Sequence, residues 1–288
     1  MNIQHTIETA VRHLTTTDHV VDIETLSGGC VGQVYQVELS NGDVVVAKLD
    51  ERKTPHLLTE SYMLHYLKTH SALPVPDVLY ATDRILLLEF VAGHSVFSRP
   101  AEQHAAELLA ALHQQTAPAF GLERETLIGG LIQPNDWSET WIDFFREQRL
   151  FYMAREGERE GRLPTAVLQR LERFCNQLEQ LIDEPERPSL IHGDVWTTNV
   201  LAENGRITAF LDPAIYYAHP EIELAFTTLF GTFDHAFFTH YNERNPISPG
   251  FFETRRDIYN LYPLLVHVRL FGGGYVPAVD QILRRFGC

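Results

Sequence analysis

The residues best suited to chemistry lie between two short apolar runs in the second half of the chain. Asp194 and Asn199 are separated by five positions, and Asp212 follows Asn199 by thirteen. A carboxylate can orient or deprotonate an acceptor hydroxyl in phosphoryl transfer, and amide and carboxylate oxygens are hard ligands for Mg²⁺. We therefore predict Asp194 as a catalytic base and Asn199 with Asp212 as metal ligands. A turn signal at Asn204-Gly205 predicts a hairpin that brings the two ligands together.

The five-residue spacing of Asp194 and Asn199 also matches the protein-kinase catalytic loop H-R-D-x-x-x-x-N. An alternative is a hydrolytic metal centre on His192 and Asp194, but such a site needs further His or carboxylate ligands at tight spacing. We assign His192 to bracing the loop rather than to proton transfer. Trp196 lies two positions after Asp194 and is predicted to stack on an acceptor sugar or amine, with core packing as the alternative.

A glycine-rich segment, SGGCVGQVY at positions 27–35, lies between two strand-like runs. Glycines let backbone N–H groups approach a polyphosphate closely. Gly29, Gly32 and Val34 fit the pattern G-x-G-x-x-G-x-V, although Ser27 stands at its first glycine. We predict that Gly29, Cys30 and Gly32 contact a nucleotide, while an ordinary turn would also explain the segment on its own.

Lys48 and Glu60 form a second candidate constellation. Lys48 shares one face of a predicted strand with Val44 and Val46, and an ammonium on an apolar face needs a partner or an anionic ligand. Glu60 lies on the apolar face of the following predicted helix. The two charges are therefore predicted to pair and to direct the ammonium at nucleotide phosphates. The alternative is that both side chains extend into water.

The predicted elements that position these residues fall into two groups, and their secondary-structure type changes near residue 92. The first ninety residues read as mixed strands and helix, with a hairpin signal at Asn41-Gly42. The remainder reads as mostly helical, interrupted by a β-like region over residues 190–211. We predict an α+β, two-lobed fold, with an N-terminal lobe over residues 1–92 and a helical lobe over residues 93–288. Helices are predicted over Leu57–Lys68, Ala101–Gln115, Trp137–Glu156 and Thr165–Ile182.

Composition restricts the class of protein. The chain has 288 residues and a net charge of −15, which disfavours non-specific binding to nucleic acid or to anionic membranes. It contains three cysteines, too few for a disulfide framework and consistent with a reducing compartment. No signal peptide or stretch of membrane-spanning length is visible. We therefore expect a cytoplasmic protein without membrane or nucleic-acid partners.

The segment HGDVWTTN resembles the HGDxWxxN signature of the fructosamine and ribulosamine (ketosamine) kinases, in the aminoglycoside-phosphotransferase branch of the protein-kinase-like fold. The resemblance runs nearly end to end and includes SGGCVGQVY, FGLERETLIGGLIQPNDW and LDPAIYYAHPEIELAF. It implies a two-lobed kinase with ATP and Mg²⁺ in the cleft. Asp194 matches the catalytic base, Asn199 and Asp212 match the metal ligands, and Lys48 with Glu60 matches the phosphate-aligning pair.

The same resemblance implies that Leu88, Glu89, Phe90 and Val91 form a hinge whose backbone meets adenine. It implies phosphorylation of a sugar hydroxyl on a ketosamine or glycated lysine, a step in deglycation repair. A monomer, or a redox-linked homodimer through Cys30, would fit similar enzymes. The chain departs from the family pattern at Thr197-Thr198, where Ser-Gly is usual, and at Glu223, where Asp is usual.

Two other functions remain open from the sequence. The acceptor could be another small hydroxylated amine, such as an aminoglycoside or a choline-like compound. The chain could also be a nucleotide-binding pseudokinase, although a scaffold has no need of Lys48, Glu60, Asp194, Asn199 and Asp212 together. Turnover of ATP in the presence of Mg²⁺ separates the pseudokinase from the two kinases, and a panel of acceptors separates the kinases from each other.

Overall fold

The computed structural model describes residues 2–26 and 33–288, and its N-terminal part is rich in strands. This part contains α1 (Ile3–Val11), β1 (Val20–Thr25), β2 (Gln33–Leu39), β3 (Val44–Leu49), α2 (Leu57–His70), β4 (Val78–Ala81) and β5 (Ile85–Glu89). The five strands form one antiparallel sheet in the order β1-β2-β3-β5-β4. The sheet-rich lobe expected from the sequence is confirmed.

The hairpin of β2 and β3 shows how alternation in the sequence assigns faces. Gly42 takes φ +88° in the turn, a conformation that favours glycine, and confirms the predicted hairpin. Because successive side chains alternate across a strand, Val45, Ala47 and Leu49 are buried in one small core with residues of α1. Lys48 consequently lies on the other face, which looks towards the cleft.

The C-terminal part is mostly helical and encloses one large apolar core. Its helices are α3 (Arg99–Leu112), α4 (Trp141–Phe144), α5 (Tyr152–Arg159), α6 (Thr165–Cys175), α7 (Leu178–Leu181), α8 (Glu221–Leu229), α9 (His235–Asn242), α10 (Arg256–Phe271) and α11 (Val276–Arg285). π-helical turns over Phe145–Phe151 and Phe251–Arg255 lead into α5 and α10, and 3₁₀ turns cover Thr197–Asn199 and Gly273–Tyr275. The boundary between residues 92 and 93 stays a prediction.

Three two-stranded ribbons connect these helices. They pair β6 (Thr126–Ile128) with β7 (Leu131–Gln133), β8 (Ser189–Ile191) with β11 (Tyr216–Ala218), and β9 (Val200–Glu203) with β10 (Arg206–Phe210). The β9–β10 turn contains Asn204 and Gly205 at φ +50° and +75°, the two positive values that a tight hairpin turn needs. The hairpin predicted between Asn199 and Asp212 is confirmed.

The helix predicted from Trp137 is wrong at its start. The backbone is still extended at Thr140, and α4 begins at Trp141, where the Glu184 carboxylate accepts the backbone N–H groups of Trp141 at 2.6 Å and Ile142 at 3.0 Å. That distant carboxylate satisfies donors which a helix start leaves free. Trp137 is therefore 49% exposed rather than part of the core, whereas Trp141 is fully buried.

Within residues 2–26 and 33–288, every helix falls short of the length and apolarity that a membrane crossing requires.

Candidate active site

Lys48 stands at the centre of the cleft between two carboxylates. Its Nζ lies 2.5 Å from Glu60 Oε1 on α2 and also contacts Asp212 Oδ1, while the side chain is only 13% exposed. Burial alone would lower the pKa of Lys48, but Asp212 and Glu60 outweigh it and raise the pKa above its ordinary value. The lysine is thus held as a cation, and the predicted contact with Glu60 is present.

Asp194 follows β8 and projects into the same cleft. Asn199 Nδ2 donates to the Asp194 carboxylate at 2.8 Å and to the Asp194 backbone carbonyl at 3.0 Å. Burial raises the pKa of Asp194 well above its ordinary range, and the neighbouring Asp212 adds to the shift. A carboxylate with a raised pKa can accept a proton more readily than a solvated one.

His192 braces the start of this loop. The ring is fully buried, its Nδ1 accepts the Asp194 backbone N–H at 3.3 Å, and its own carbonyl accepts the Ala214 N–H at 2.7 Å. Burial lowers the pKa of His192 to about 4, so the imidazole is neutral near pH 7. These contacts support the predicted bracing role.

Both the backbone conformation and the lack of room for a side chain require glycine at position 193. Its φ is +86°, and a Cβ at this position would lie 2.1 Å from the carbonyl oxygen of Ala214. Its backbone N–H donates to Glu223 Oε1 at 2.6 Å. Glu223 therefore reaches the loop that carries Asp194 and fixes its backbone at Gly193.

Asn199 and Asp212 are brought together by the hairpin between them. The Leu211 N–H donates to the Asn199 carbonyl at 2.8 Å, and Asp212 then adopts φ +51°, which turns its side chain towards Lys48. Because Asn199 Nδ2 is committed to Asp194, its Oδ1 is the amide atom left for a cation. Two oxygen donors of this kind suit Mg²⁺.

A cavity of about 480 Å³ lies beneath the N-terminal sheet on one side of these residues. Leu26, Val34, Val46, Leu88, Leu201 and Leu211 give it apolar walls, and Glu89, Phe90 and Val91 lie along its edge. The Glu89 side chain does not enter the cavity floor, since its Oε2 accepts the Asp77 N–H at 3.2 Å. A cavity with apolar walls and a few polar groups at its edge is the type of site that binds a planar base.

A second cavity opens on the other side of Asp194 and Asp212. Trp196 lines it, together with Phe226, His267 and Phe271 from α8 and α10. The ring centroid of Trp196 lies 5.5 Å from that of Phe230, and that of His267 lies 5.5 Å from that of Phe271. The local sequence pattern gave no indication that these C-terminal aromatic residues line a cavity. The three glycines at 272–274, which follow α10 directly, were the available signal.

The predicted nucleotide contacts Gly29, Cys30 and Gly32 lie outside the described residues. In the ranges 2–26 and 33–288, no group of three His, Cys, Asp or Glu side chains is placed to hold a metal ion. The alternative of a hydrolytic centre on His192 and Asp194 thus finds no ligand set in that part of the chain.

Asp50 lies just after β3 and lines the second cavity, and the ionisation of its carboxyl group is expected to affect the stability of the protein. Burial would raise its pKa, but hydrogen bonds from the Arg52 side chain, the Arg52 N–H and the His56 N–H outweigh burial and lower it to about 2, against 3.8 ordinarily. A depressed folded-state pKa stabilises the protein above pH 4, and this contribution is lost as the pH falls from about 4 through about 2.

We expect Asp50→Asn to lower the free energy of unfolding at pH 7 by roughly 2 kcal/mol, and by progressively less below pH 4. Urea unfolding between pH 3 and 7 measures this difference. Asp22→Asn, on the exposed edge strand β1, is the control. A loss for Asp50→Asn that stays constant across this pH range would contradict the assignment.

Comparison with solved structures first defines the class of protein. The chain superimposes on an aminoglycoside phosphotransferase, APH(4)-Ia in its apo form, with a TM-score of 0.65 over 97% of this chain and 99% of that one. At 20% identity this likeness shows the fold alone. The fold is therefore kinase-like, with a sheet-rich N-terminal part and a helical C-terminal part, as predicted.

The particular family follows from closer relatives. The fructosamine kinase family model matches residues 2–286, so the chain belongs to the fructosamine kinase family. A probable ketoamine kinase of Synechocystis sp. is 33% identical over 91% of this chain and 88% of its own length. A crystal structure assigned as a fructosamine-3-kinase from Thermobifida fusca superimposes with a TM-score of 0.83 at 31% identity, over 96% and 98% of the two chains. The chain is therefore an ATP-dependent kinase of the ketosamine type.

A plant relative extends the comparison. The chloroplastic protein-ribulosamine 3-kinase of Arabidopsis thaliana is 28% identical over 92% of this chain and 83% of its own length.

Proposed function

We propose that this chain transfers the γ-phosphoryl group of ATP to a sugar hydroxyl of a ketosamine, with Asp194 as the base. The observation that carries the proposal is that Lys48, Asn199 and Asp212 line both cavities, while Asp194 lines the second cavity beside them. Asp194 takes the hydroxyl proton as the sugar oxygen forms its bond to the γ-phosphorus. The bond from that phosphorus to the β–γ bridging oxygen breaks, and ADP leaves.

The nucleotide occupies the cavity beneath the N-terminal sheet. The apolar walls take the base, and the backbone of Glu89, Phe90 and Val91 supplies its hydrogen bonds. Lys48 places a positive charge at the cavity floor, where it meets phosphate oxygens while Glu60 holds its side chain in place. The glycine-rich segment with Gly29, Cys30 and Gly32 is proposed to cover the phosphates.

Asn199 and Asp212 fit a magnesium site, because both present oxygen atoms at the border of the two cavities. When bound, Mg²⁺ neutralises charge on the phosphates. Asn199 has a further role towards the base, since its amide nitrogen fixes the Asp194 carboxylate.

The acceptor occupies the cavity lined by Trp196. Aromatic rings suit the apolar face of a sugar or the cation of an amine, and a ketosamine has both. The net charge of −15 is favourable to an amine-bearing acceptor. We propose ketosamines formed on amines or on lysine residues as the acceptors. The oligomeric state, a monomer or a homodimer linked through Cys30, stays a prediction. The cytoplasmic location also stays a prediction.

The test is ³¹P NMR of Mg-ATP with the protein and, separately, ribuloselysine, fructoselysine or an aminoglycoside. We expect a new sugar-phosphate resonance with at least one ketosamine and none without enzyme. A signal only with the aminoglycoside would replace the proposed acceptor. Binding of ATP without turnover of any acceptor would favour the pseudokinase.

We expect Trp196→Leu to raise KM for the ketosamine by about three- to tenfold and to leave KM for ATP unchanged, because a stacking surface is lost. Steady-state kinetics with each substrate varied measures the two constants. Trp137→Leu removes an exposed indole that does not line the cavity and serves as the control. Equal kinetics for the two variants would assign Trp196 to packing.

A further inference from the structure

A buried chain of hydrogen bonds runs from the catalytic loop to the far side of the helical part. Glu223 on α8 accepts the Gly193 N–H with Oε1 at 2.6 Å, and its Oε2 lies 2.8 Å from Nε2 of His113. The other ring nitrogen, Nδ1 of His113, lies 2.7 Å from the Tyr241 hydroxyl. These contacts join α3, α8 and α9 to the residue that precedes Asp194.

The chemistry of the carboxylate fixes the direction of the bond between His113 and Glu223. An ionised carboxylate only accepts, so Nε2 of His113 carries the proton that points at Glu223. The Tyr241 hydroxyl, 2.7 Å from Nδ1, can donate to this nitrogen or accept from it, and in either case it orients the ring. The side chains of His113 and Glu223 are 0% and 1% exposed, so water does not replace a missing partner.

The position of the Glu223 carboxylate depends on the hydrogen bond from His113. A buried carboxylate that loses one of two donors bears a desolvation cost, which favours any movement that finds a new partner. Such a movement would pull Oε1 away from the Gly193 N–H. The close approach of the Ala214 carbonyl already confines Gly193. A displacement of Gly193 therefore also displaces Asp194, the next residue in the chain.

We propose that His113 is a positioning residue for catalysis. It holds Glu223, Glu223 holds the Gly193 amide, and this amide fixes the position from which Asp194 acts. Tyr241 orients the His113 ring. The inference rests on the proposed role of Asp194 as the base.

The test compares His113→Phe, His113→Gln and Tyr241→Phe, with kcat, both KM values and thermal melting measured for each. We expect His113→Phe to lower kcat by about ten- to hundredfold with KM for ATP within about twofold, because small misplacements of a base are costly. His113→Gln recovers most of kcat, since its Nε2 can donate to Glu223. Tyr241→Phe lowers kcat by about three- to tenfold, because only the orienting hydroxyl is lost.

Thr227→Val is the matched control, because Thr227 is fully buried on the same helix and its hydroxyl donates to the Leu224 carbonyl of that helix. It is expected to lower the melting temperature and leave kcat unchanged. If His113→Phe does not fold, an unchanged kcat in Tyr241→Phe together with an inactive but folded His113→Gln overturns the proposal. So does a folded His113→Phe with normal kcat.

Asp194→Asn in the same assay separates this inference from the proposed function. Full activity of Asp194→Asn would overturn both the base and its positioning. Loss of activity in Asp194→Asn with normal kcat in folded His113→Phe would overturn the positioning role alone.

Discussion

Asp194→Asn is expected to lower kcat by about 10²- to 10⁴-fold, the usual contribution of general-base catalysis. The amide has the same shape as the carboxylate but cannot take the proton of the acceptor hydroxyl. KM for ATP should change little, since Asp194 is not among the residues that line the proposed nucleotide cavity. Release of ADP with a saturating ketosamine measures the effect.

Asp234→Asn is the control for this substitution, since Asp234 lies at the start of α9, away from both cavities. It should retain normal turnover. If Asp194→Asn turned over within a few-fold of the wild-type rate, another group would have to accept the proton. That result would contradict the proposed mechanism.

Gly193→Ala is expected to lower the free energy of unfolding by about 3 to 5 kcal/mol and to abolish activity. The added Cβ would lie 2.1 Å from a backbone oxygen, and φ +86° is unfavourable for alanine. Relief requires the loop and the Ala214 segment to separate, which also displaces Asp194. Urea unfolding and the kinase assay measure the two consequences.

Gly161→Ala isolates the cost of the backbone conformation. Gly161 has φ +70°, and no described atom lies within 4 Å of the position that the added methyl group would take, so only the conformational cost of about 1 kcal/mol is expected. If the two alanine variants were equally stable, the close approach at Ala214 would not constrain the loop.

The sequence was most informative where chemistry imposes short spacings. The separation of Asp194 and Asn199 is local, and one loop suffices to place both. Alternation along β3 and periodicity along α2 put Lys48 and Glu60 on facing sides, so their contact could be predicted from two elements. The turn at Asn204-Gly205 also depends on local backbone preferences alone.

The start of α4 shows where local patterns fail. The apolar spacing from Trp137 onward favours a helix, but the helix begins at Trp141, where Glu184 caps it from more than forty positions away. A partner so distant in sequence leaves no trace in periodicity. For the same reason the sequence did not indicate Phe226 and His267, which line the second cavity only through the packing of α8 and α10.

By itself, the sequence indicated the family through the resemblance of its motifs. It also supplied the residues proposed to carry the reaction, because motif spacing and side-chain chemistry are local properties. The contacts that hold those residues in position were decided by the tertiary structure alone. His113 and Glu223 are 110 positions apart, and neither residue type predicts the other. Their contact exists because the folded core excludes water, and a buried carboxylate must then find its donors within the protein.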